Sequence, residues 1–151
     1  IMSWNDLRKG RFSQNNAEYF VTFNSNNRQP LFNNFNLARL FCQQISKNEI
    51  THHCLWLTWV LMPDHFHGLL QLGEKSSSLS SIIGNLKGST AYVINSELNQ
   101  TGAIWQPSYY DHALRNEENR KDIARYIVAN PLRKKIIKDI GDYPYWNSVY
   151  I

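Results

Sequence analysis

The centre of the chain, residues 59–70, reads WVLMPDHFHGLL. The apolar run before Pro63 predicts a strand, the Pro-Asp pair breaks it, and the residues from His65 onward predict a second strand, so we expect a hairpin. Because successive side chains of a strand point to opposite faces, His65 and His67 should share one face while Phe66 lies on the other. Two imidazoles on one face supply half of a metal site. Histidines at this spacing also occur as ordinary core or surface residues, so the interpretation depends on the rest of the chain.

The segments around this hairpin alternate between strand and helix periodicity. The predicted elements are strand 19–24, helix 34–47, strands 55–62 and 65–72, a helix after Ser76-Ser77-Ser78, strand 109–114, and a helix that follows Asn116 and ends before Pro131. Their order is that of the split βαβ, ferredoxin-like (RRM-like) α+β fold, an antiparallel sheet with helices on one face, here with an additional C-terminal helix. We expect one domain spanning residues 1–151.

Composition narrows the class of protein. The chain is 42% hydrophobic and 13% aromatic, which is typical of a folded protein and not of a disordered one. No apolar run approaches the about 20 residues that span a bilayer, and the polar start, Met2-Ser3-Trp4-Asn5-Asp6, lacks the features of a secretion signal. The two cysteines, Cys42 and Cys54, have no CxxC spacing. These features predict a cytoplasmic protein with two buried thiols and no membrane partner.

Positive charge is concentrated in one part of the chain. The formal net charge is +4, which permits a polyanionic partner without requiring one. Half of the 16 basic residues lie between positions 115 and 138, and this segment is the candidate phosphate-binding surface. Its proposed DNA-binding residues are Arg115, Arg120, Lys121, Arg125, Arg133, Lys134 and Lys135. The alternative for such a charge run is a solvated helix face.

A candidate nucleophile lies in the last predicted helix. Tyr126 and Asn130 are four residues apart, so both project toward the same side of that helix. A tyrosine hydroxyl has an ordinary pKa of about 10 and is therefore a poor nucleophile at neutral pH. A divalent ion that polarises a phosphodiester makes its attack on the phosphorus feasible. His65 and His67 could hold that ion, and the Asn130 side-chain oxygen could complete the set. Mixed nitrogen and oxygen ligation suits Mn²⁺ and tolerates Mg²⁺. The alternative for Tyr126 is an ordinary half-buried helix tyrosine.

Several stretches together resemble one known family. They are NRQPLF at 27–32, VLMPDHFH at 60–67, Trp105-Gln106 followed by Tyr110-Asp111-His112, YIVANPLR at 126–133 and DYPYWNS at 142–148. The chain resembles the REP-associated tyrosine transposases, the single-tyrosine branch of the HUH endonuclease superfamily, which is related to insertion-sequence transposases. The matching stretches are collinear over most of the chain.

The resemblance implies a specific activity. It implies cleavage and rejoining of single-stranded DNA through a covalent 5′-phosphotyrosine on Tyr126, with a divalent metal (Mg²⁺ or Mn²⁺) bound by His65, His67 and Asn130. It further implies recognition of a hairpin from a repetitive extragenic palindrome (REP), with a short flanking tetranucleotide as guide. A bacterial, nucleoid-associated location and a monomer or homodimer are expected.

The chain also departs from the family pattern. Asp64 stands where relatives often carry asparagine and would place an extra carboxylate beside the metal, Gly68 stands where a larger apolar residue is common, and the lysines at 134–135 replace small residues. None of these changes removes a proposed catalytic group. Asp111 and His112 match a family motif, and the residues alone assign them neither a positioning nor a structural role.

Two other functions remain open at this point. The first is a non-cleaving protein of the same fold that binds a nucleic-acid hairpin. The second is an RNA-binding ferredoxin-like domain, which needs exposed aromatic side chains on the central strands. Trp56 and Trp59 are the candidates for that role, but strand parity predicts that they lie on opposite faces.

Overall fold

A five-stranded antiparallel sheet forms the centre of the protein, in a computed structural model that describes residues 17–151. Its strands are β1 (Ala17–Asn24), β2 (Cys54–Met62), β3 (His65–Leu72), β4 (Tyr110–Ala113) and β5 (Trp146–Ser148). The strand order is β4-β1-β3-β2-β5. The first four strands therefore have the order of a split βαβ sheet, which confirms the predicted ferredoxin-like α+β fold. The polar start, on which the expectation of no secretion signal rests, lies outside the described residues.

Two long helices, α1 (Phe35–His52) and α2 (Leu79–Leu98), pack together and cover one face of this sheet. Each begins where a side chain satisfies free backbone N–H groups: Asn34 accepts two such bonds at the start of α1, and Ser78 accepts one at the start of α2. Helix α1 runs past the predicted end at residue 47 and stops at His53, which has a left-handed backbone with φ 53°. In the described part of the chain, no helix has both the length and the apolar character needed to cross a membrane.

Alternate side chains of β1 divide the two faces of the sheet. Tyr19, Val21 and Phe23 point toward α1 and α2 and are fully buried there. The ring of Phe23 lies 5.0 Å from that of Phe66 and 4.7 Å from that of Trp105, measured between centroids. Each large apolar side chain buried in this way contributes about 1.5–3 kcal/mol, so the core fixes the strand register firmly. The intervening residues of β1 consequently face the opposite side.

The opposite face carries the C-terminal part of the chain. Helix α3 (Arg120–Val128) crosses it, followed by the short helix α4 (Asn130–Arg133). A second, smaller core forms here, in which Ile127 of α3 packs among side chains of β2 and β3. The Tyr143 hydroxyl donates a hydrogen bond of 2.5 Å to the Leu61 backbone oxygen and ties the C-terminal segment to β2. Strand β5 was not predicted, because three residues are too few to show an alternating pattern.

The ends of α3 and α4 differ from the sequence expectation. Helix α3 begins at Arg120 and its cap is Asn119, so the predicted cap at Asn116 is wrong. The reason is that Glu118 accepts a hydrogen bond from the Arg115 backbone N–H and holds the preceding residues in a turn. The last predicted helix was expected to end before Pro131, because the residue before a proline favours an extended backbone, and α3 does end at Val128. Position 130 is nevertheless helical and not extended: Pro131 occupies the first turn of α4, where its missing N–H costs nothing.

A bulge in β2 overturns the parity argument for the tryptophans. The register with β3 shifts between Trp56 and Thr58, and one extra residue in a strand reverses the side-chain alternation beyond it. Trp56 and Trp59 therefore lie on the same face, where both contact the ring of Phe66 at centroid distances of 5.2 and 6.4 Å. Both tryptophans belong to the core beneath the helices, so they do not form an RNA-binding platform.

The cysteine side chains are half-buried in the fold, Cys42 in α1 and Cys54 at the start of β2. Burial raises the pKa of Cys42 to about 11. Burial and the charge of Glu49 raise the pKa of Cys54 to about 12. Both therefore remain protonated thiols near neutral pH, which is the unreactive form.

Candidate active site

The two histidines of the hairpin lie side by side at the start of β3. His67 pairs with Thr22 and His65 pairs with Asn24 of β1, so both imidazoles are on the face that α3 crosses. Their ring centroids are 4.6 Å apart and the ring planes are nearly perpendicular, at 84°. The structure therefore places the pair as the strand periodicity predicts.

A carboxylate orients His65 from the far side of its ring. Nδ1 of His65 lies 2.7 Å from Oδ1 of Asp64, and an ionised carboxylate only accepts hydrogen bonds, so Nδ1 carries the proton and Nε2 carries the lone pair. The Arg28 Nε donates to Oδ2 of the same carboxylate at 3.0 Å. The sequence suggested that Asp64 would place an extra carboxylate beside the metal. Instead, the carboxylate lies at Nδ1 of His65, away from Nε2. It fixes the tautomer and the angle of the ring, as outer partners of metal-binding histidines do.

His67 has an equivalent partner in Thr22. Its Nδ1 lies 2.7 Å from the Thr22 hydroxyl, which leaves Nε2 for another ligand. Burial, together with the positive charges of Arg133, Arg28 and Lys134, lowers the pKa of His67 to about 3. Burial also lowers the pKa of His65, although Asp64 opposes this effect. Both rings are neutral near pH 7, and the neutral imidazole is the form that binds metals.

Asn130 completes a set of three side chains. It is buried, and its amide nitrogen lies 3.4 Å from Nε2 of His65. A half-turn of the amide exchanges its nitrogen and oxygen, so the side chain can present Oδ1 at the same place. Residues 17–151 contain no group of three or more His, Cys, Asp or Glu side chains suited to a metal. Two neutral imidazoles and one amide fit a divalent cation that keeps open positions for water or phosphate, and not a closed structural zinc site.

Tyr126 projects from α3 beside these groups, and its side chain is 56% exposed. The Arg133 guanidinium lies 4.0 Å from the centroid of the tyrosine ring, within the range of a cation–π contact. The same guanidinium donates through Nη1 to the Tyr126 backbone oxygen at 2.6 Å. Arg133 therefore braces both the ring and the end of the helix that carries it.

These side chains surround one cleft of about 420 Å³. Its lining consists of Asn24, Arg28, His65, His67, Tyr126, Asn130, Arg133 and Lys134. All four residues proposed for chemistry thus meet at one place, together with three cations. Arg28 was not predicted to be a site residue. In the sequence, its only signal was that it belongs to the 27–32 stretch. In the structure, residues 27 and 28 both have positive φ angles and form the turn that carries Arg28.

A larger hollow, of about 550 Å³, lies at the C-terminal end of α2. Its walls contain amides, hydroxyls and Tyr92 but no histidine, acid or base. Several of these polar groups bond to one another: Asn95 donates to the Gly102 carbonyl and accepts from Gln100. Size therefore does not identify the chemical site, whereas the convergence of histidines, tyrosine and cations does.

The other predicted DNA-binding residues have different surroundings. Arg120 donates to the Glu18 carboxylate at 2.5 Å and to three backbone carbonyls, which gives it a structural role. Arg115 pairs with Glu118, and Arg125 lies 3.6 Å from Asp122. Lys121 and Lys135 are exposed. Contact of these five residues with DNA stays a prediction, and only Arg133 and Lys134 of the original set line the cleft.

Comparisons with known proteins agree with this fold. In curated sequences, the chain is 29% identical over 87 residues to a REP-associated tyrosine transposase of Escherichia coli K12, covering 58% of this chain and 50% of the relative. It is 25% identical over 151 residues to an uncharacterized protein of Haemophilus influenzae, covering 76% and 79%. The chain spans about half the length of the E. coli relative.

A solved structure and a family model give the wider match. The structure, described as a REP-associated tyrosine transposase bound to a REP hairpin, superposes with a TM-score of 0.72 at 25% identity and covers 90% of this chain and 79% of that one. The family model described as "Transposase IS200 like" matches residues 13–130. That range includes both histidines, Tyr126 and Asn130. The chain therefore belongs to the family of IS200-like transposases.

Proposed function

We propose that this protein is a metal-dependent single-stranded DNA endonuclease and strand transferase that acts beside REP hairpins. The observation that carries the proposal is the single cleft in which Tyr126 meets His65, His67 and Asn130. Family membership supports a transposase-like reaction. The solved relative supports the choice of DNA, because it is bound to a REP hairpin.

In the proposed reaction, the Tyr126 hydroxyl oxygen attacks the phosphorus of a DNA phosphodiester. The bond from phosphorus to the 3′ oxygen breaks, the phenolic proton is released to solvent, and the leaving 3′ oxygen takes up a proton. The products are a 5′-phosphotyrosine on Tyr126 and a free 3′-hydroxyl end. Attack of a 3′-hydroxyl on the phosphotyrosine reverses these steps and rejoins DNA, so the bond energy is retained and no nucleotide cofactor is needed.

The other residues of the cleft have separate tasks. His65, His67 and Asn130 would hold a divalent cation, which supplies the positive charge that polarises the phosphate. Arg28 and Lys134 line the cleft and offer positive charge to neighbouring phosphates, which favours the more negative transition state. One copy of the chain supplies all of these groups, so we propose that a monomer contains a complete site.

Covalent capture tests this proposal. The probe is a pool of single-stranded oligonucleotides, each with a GC-rich hairpin and randomised flanks, incubated with Mn²⁺ or with EDTA. Since tyrosine attaches to the 5′ end of the downstream fragment, a 3′-terminal label should move to the size of the protein on a denaturing gel, in Mn²⁺ only. A 5′-terminal label should instead appear on a shortened free strand. Protein-sized label in EDTA, or on the 5′ fragment, would contradict the proposal.

Histidine variants separate the enzyme from a non-cleaving hairpin-binding protein of the same fold. His65→Ala and His67→Ala should abolish cleavage of oligonucleotides recovered from the pool, because each removes one metal ligand. Fluorescence anisotropy in EDTA should show hairpin binding largely unchanged. If wild-type protein binds the pool but forms no adduct in Mn²⁺ or Mg²⁺, the non-cleaving function is the correct one.

A further inference from the structure

A second hollow, of about 270 Å³, lies next to the catalytic cleft. We call it the aromatic groove, and its walls include Phe20, Tyr110, His112, Glu118, Ile123 and Tyr126. Tyr110 and Tyr126 are 60% and 56% exposed, so two flat apolar rings face solvent here. Phe20 lies between them, with ring centroids 6.3 Å from Tyr110 and 6.5 Å from Tyr126. Pockets for drug-sized ligands have volumes of about 300 Å³ or more, so this slightly smaller groove suits a ligand with a single ring system.

The groove and the cleft share a wall. Tyr126 lines both of them, and Phe20, on the groove side, contacts the His67 ring at a centroid distance of 5.8 Å. A strand whose phosphate lies at the Tyr126 hydroxyl therefore has its neighbouring nucleotide beside the groove. Stacking of that base on Tyr110 is then compatible with phosphate contact in the cleft.

Charge separates the two hollows in the same way. The cleft presents three cations, Arg28, Arg133 and Lys134. The lining of the groove includes two carboxylates, Glu118 and Asp122, and no lysine or arginine. A phosphate is attracted to the cleft and repelled by the groove, whereas an uncharged base meets apolar rings there. The arrangement matches the division of a nucleotide into a charged backbone and a flat aromatic base.

His112 adds one polar group to this surface. Its Nε2 lies 3.0 Å from Oε1 of Glu118, whose pKa is lowered first by the hydrogen bond from the Arg115 backbone N–H. The ionised carboxylate only accepts, so Nε2 carries a proton and is engaged by Glu118, whereas Nδ1 is the polar ring atom left for another partner. A histidine held in this way can form a hydrogen bond through Nδ1 with the polar edge of a base.

We propose that the aromatic groove binds one unpaired nucleobase next to the scissile phosphate, by stacking on Tyr110 with His112 at the base edge. This inference rests on the proposed function, since it takes single-stranded DNA as the substrate. It gives the Tyr110 and His112 positions a role in holding the strand, separate from the metal and from the nucleophile.

Binding to paired probes tests the groove without any cleavage. The probes are a short labelled oligo(dT) and an abasic strand of equal length, which keeps every phosphate but has no bases, both measured by anisotropy in EDTA. Tyr110→Ala should weaken binding of oligo(dT) by about fivefold or more, in line with the energy of one base–aromatic stack. Binding of the abasic strand should not change. Tyr110→Trp should keep or raise the affinity for oligo(dT).

Tyr92→Ala is the matched control, because Tyr92 is an equally large ring, 75% exposed, on α2 of the other face. It should change neither affinity. Photocrosslinking of wild-type protein to a 5-iodouracil strand gives a second readout that needs no variant, and should label a peptide containing Tyr110 or Phe20. The proposal would be overturned if Tyr110→Ala lowered the affinity for both probes equally or for neither. Crosslinks found only at other sites would also overturn it.

The outcomes also separate this inference from the proposed function. Base-dependent binding through Tyr110 with no covalent adduct in Mn²⁺ would leave the groove in place and reject the nicking reaction. An adduct on Tyr126, together with DNA affinity that does not change in Tyr110→Ala, would support the nicking reaction and reject the groove. Wild-type protein that binds neither probe would contradict the groove and leave the hairpin-dependent reaction to the covalent-capture test.

Discussion

The side-chain amide nitrogen of Asn130 lies 3.4 Å from Nε2 of His65, although 65 residues separate the two in sequence. The contact exists because α3 ends at Val128 and α4 begins at Asn130, which turns the amide toward β3. It joins the tyrosine-bearing helix to the histidine hairpin. We propose that this junction brings Asn130, the third metal ligand, to His65 and His67.

Removal of that amide should therefore weaken metal use more than DNA binding. Loss of a residue that only orients a metal ligand costs about 10- to 100-fold in metal affinity. We expect Asn130→Ala, which removes a ligand itself, to raise the Mn²⁺ concentration needed for half-maximal cleavage by at least this factor. Asn130→Asp keeps an oxygen ligand and should retain activity at low Mn²⁺. A Mn²⁺ titration of cleavage, with hairpin affinity in EDTA as control, measures both effects. An unchanged Mn²⁺ requirement in Asn130→Ala would reduce Asn130 to a residue that ends a helix.

Asp64 should act on the metal through His65. Burial alone would raise the pKa of Asp64, but hydrogen bonds from His65 and Arg28 outweigh it and lower the pKa, so the carboxylate is ionised near pH 7. Asp64→Ala should raise the Mn²⁺ requirement by about 10- to 100-fold, whereas Asp64→Asn keeps an oxygen acceptor for Nδ1 and should cost less. The same titration checks this order. Equal losses in the two variants would mean that the charge, and not the orientation of the ring, is what matters.

Gly68 should be required by the packing of Trp56. A Cβ atom at position 68 would lie 2.6 Å from Cζ3 of the Trp56 ring and 2.9 Å from Cε2 of Phe66, closer than real contacts allow. We expect Gly68→Ala to lower the free energy of unfolding by about 1–3 kcal/mol, the usual cost of overpacking. Gly73→Ala is the control, because a Cβ there has no neighbour within 4 Å.

Urea unfolding of the two glycine variants measures this difference. Adding Trp56→Leu to Gly68→Ala should make the glycine replacement cheaper than it is in the wild-type background, since the ring that it meets is gone. If Gly68→Ala were as stable as Gly73→Ala, the close approach of Trp56 would not restrict position 68.

The sequence predicted the parts of the fold that depend on local periodicity. The bounds of β3 were predicted to the residue, and the start of α2 after Ser78 followed from its capping chemistry. The order of the first four strands was enough for the fold. The features that the sequence did not predict depend on partners far away in the chain. Strand β5 exists because residues 146–148 pair with β2, and the bulge at Leu57 arises from the pairing of β2 with β3.

The candidate site divides in the same manner. The face shared by His65 and His67 follows from a period of two, and the alignment of Tyr126 with Asn130 from helical spacing. The link between Arg28, Asp64 and His65 could not be predicted, because Arg28 is 36 residues from Asp64 and reaches it through the turn after β1. Nor could the sequence distinguish Arg120, which the fold holds on Glu18, from Lys134, which lines the cleft.

Lys134 should contact one DNA phosphate. Each phosphate contact changes the slope of log affinity against log salt by about −0.7 on single strands, so Lys134→Ala should flatten the slope by about that amount. Lys135 does not line the cleft, and the double variant with Lys135→Ala should add little. Lys47→Ala, an exposed lysine on α1, is the control. Anisotropy titrations over a series of salt concentrations measure the slopes, and an equal slope for Lys134→Ala and wild type would remove Lys134 from the interface.

The central claim is that Tyr126 is the nucleophile, and the position of the covalent bond tests it most directly. The adduct captured in Mn²⁺ is digested with nuclease and protease, and mass spectrometry locates the remaining phosphonucleotide. Our account predicts that it lies on Tyr126, and that Tyr126→Phe, which keeps the ring over Arg133, binds the hairpin but forms no adduct. A phosphonucleotide on Tyr109 or Tyr110, or an adduct that persists in Tyr126→Phe, would contradict the account.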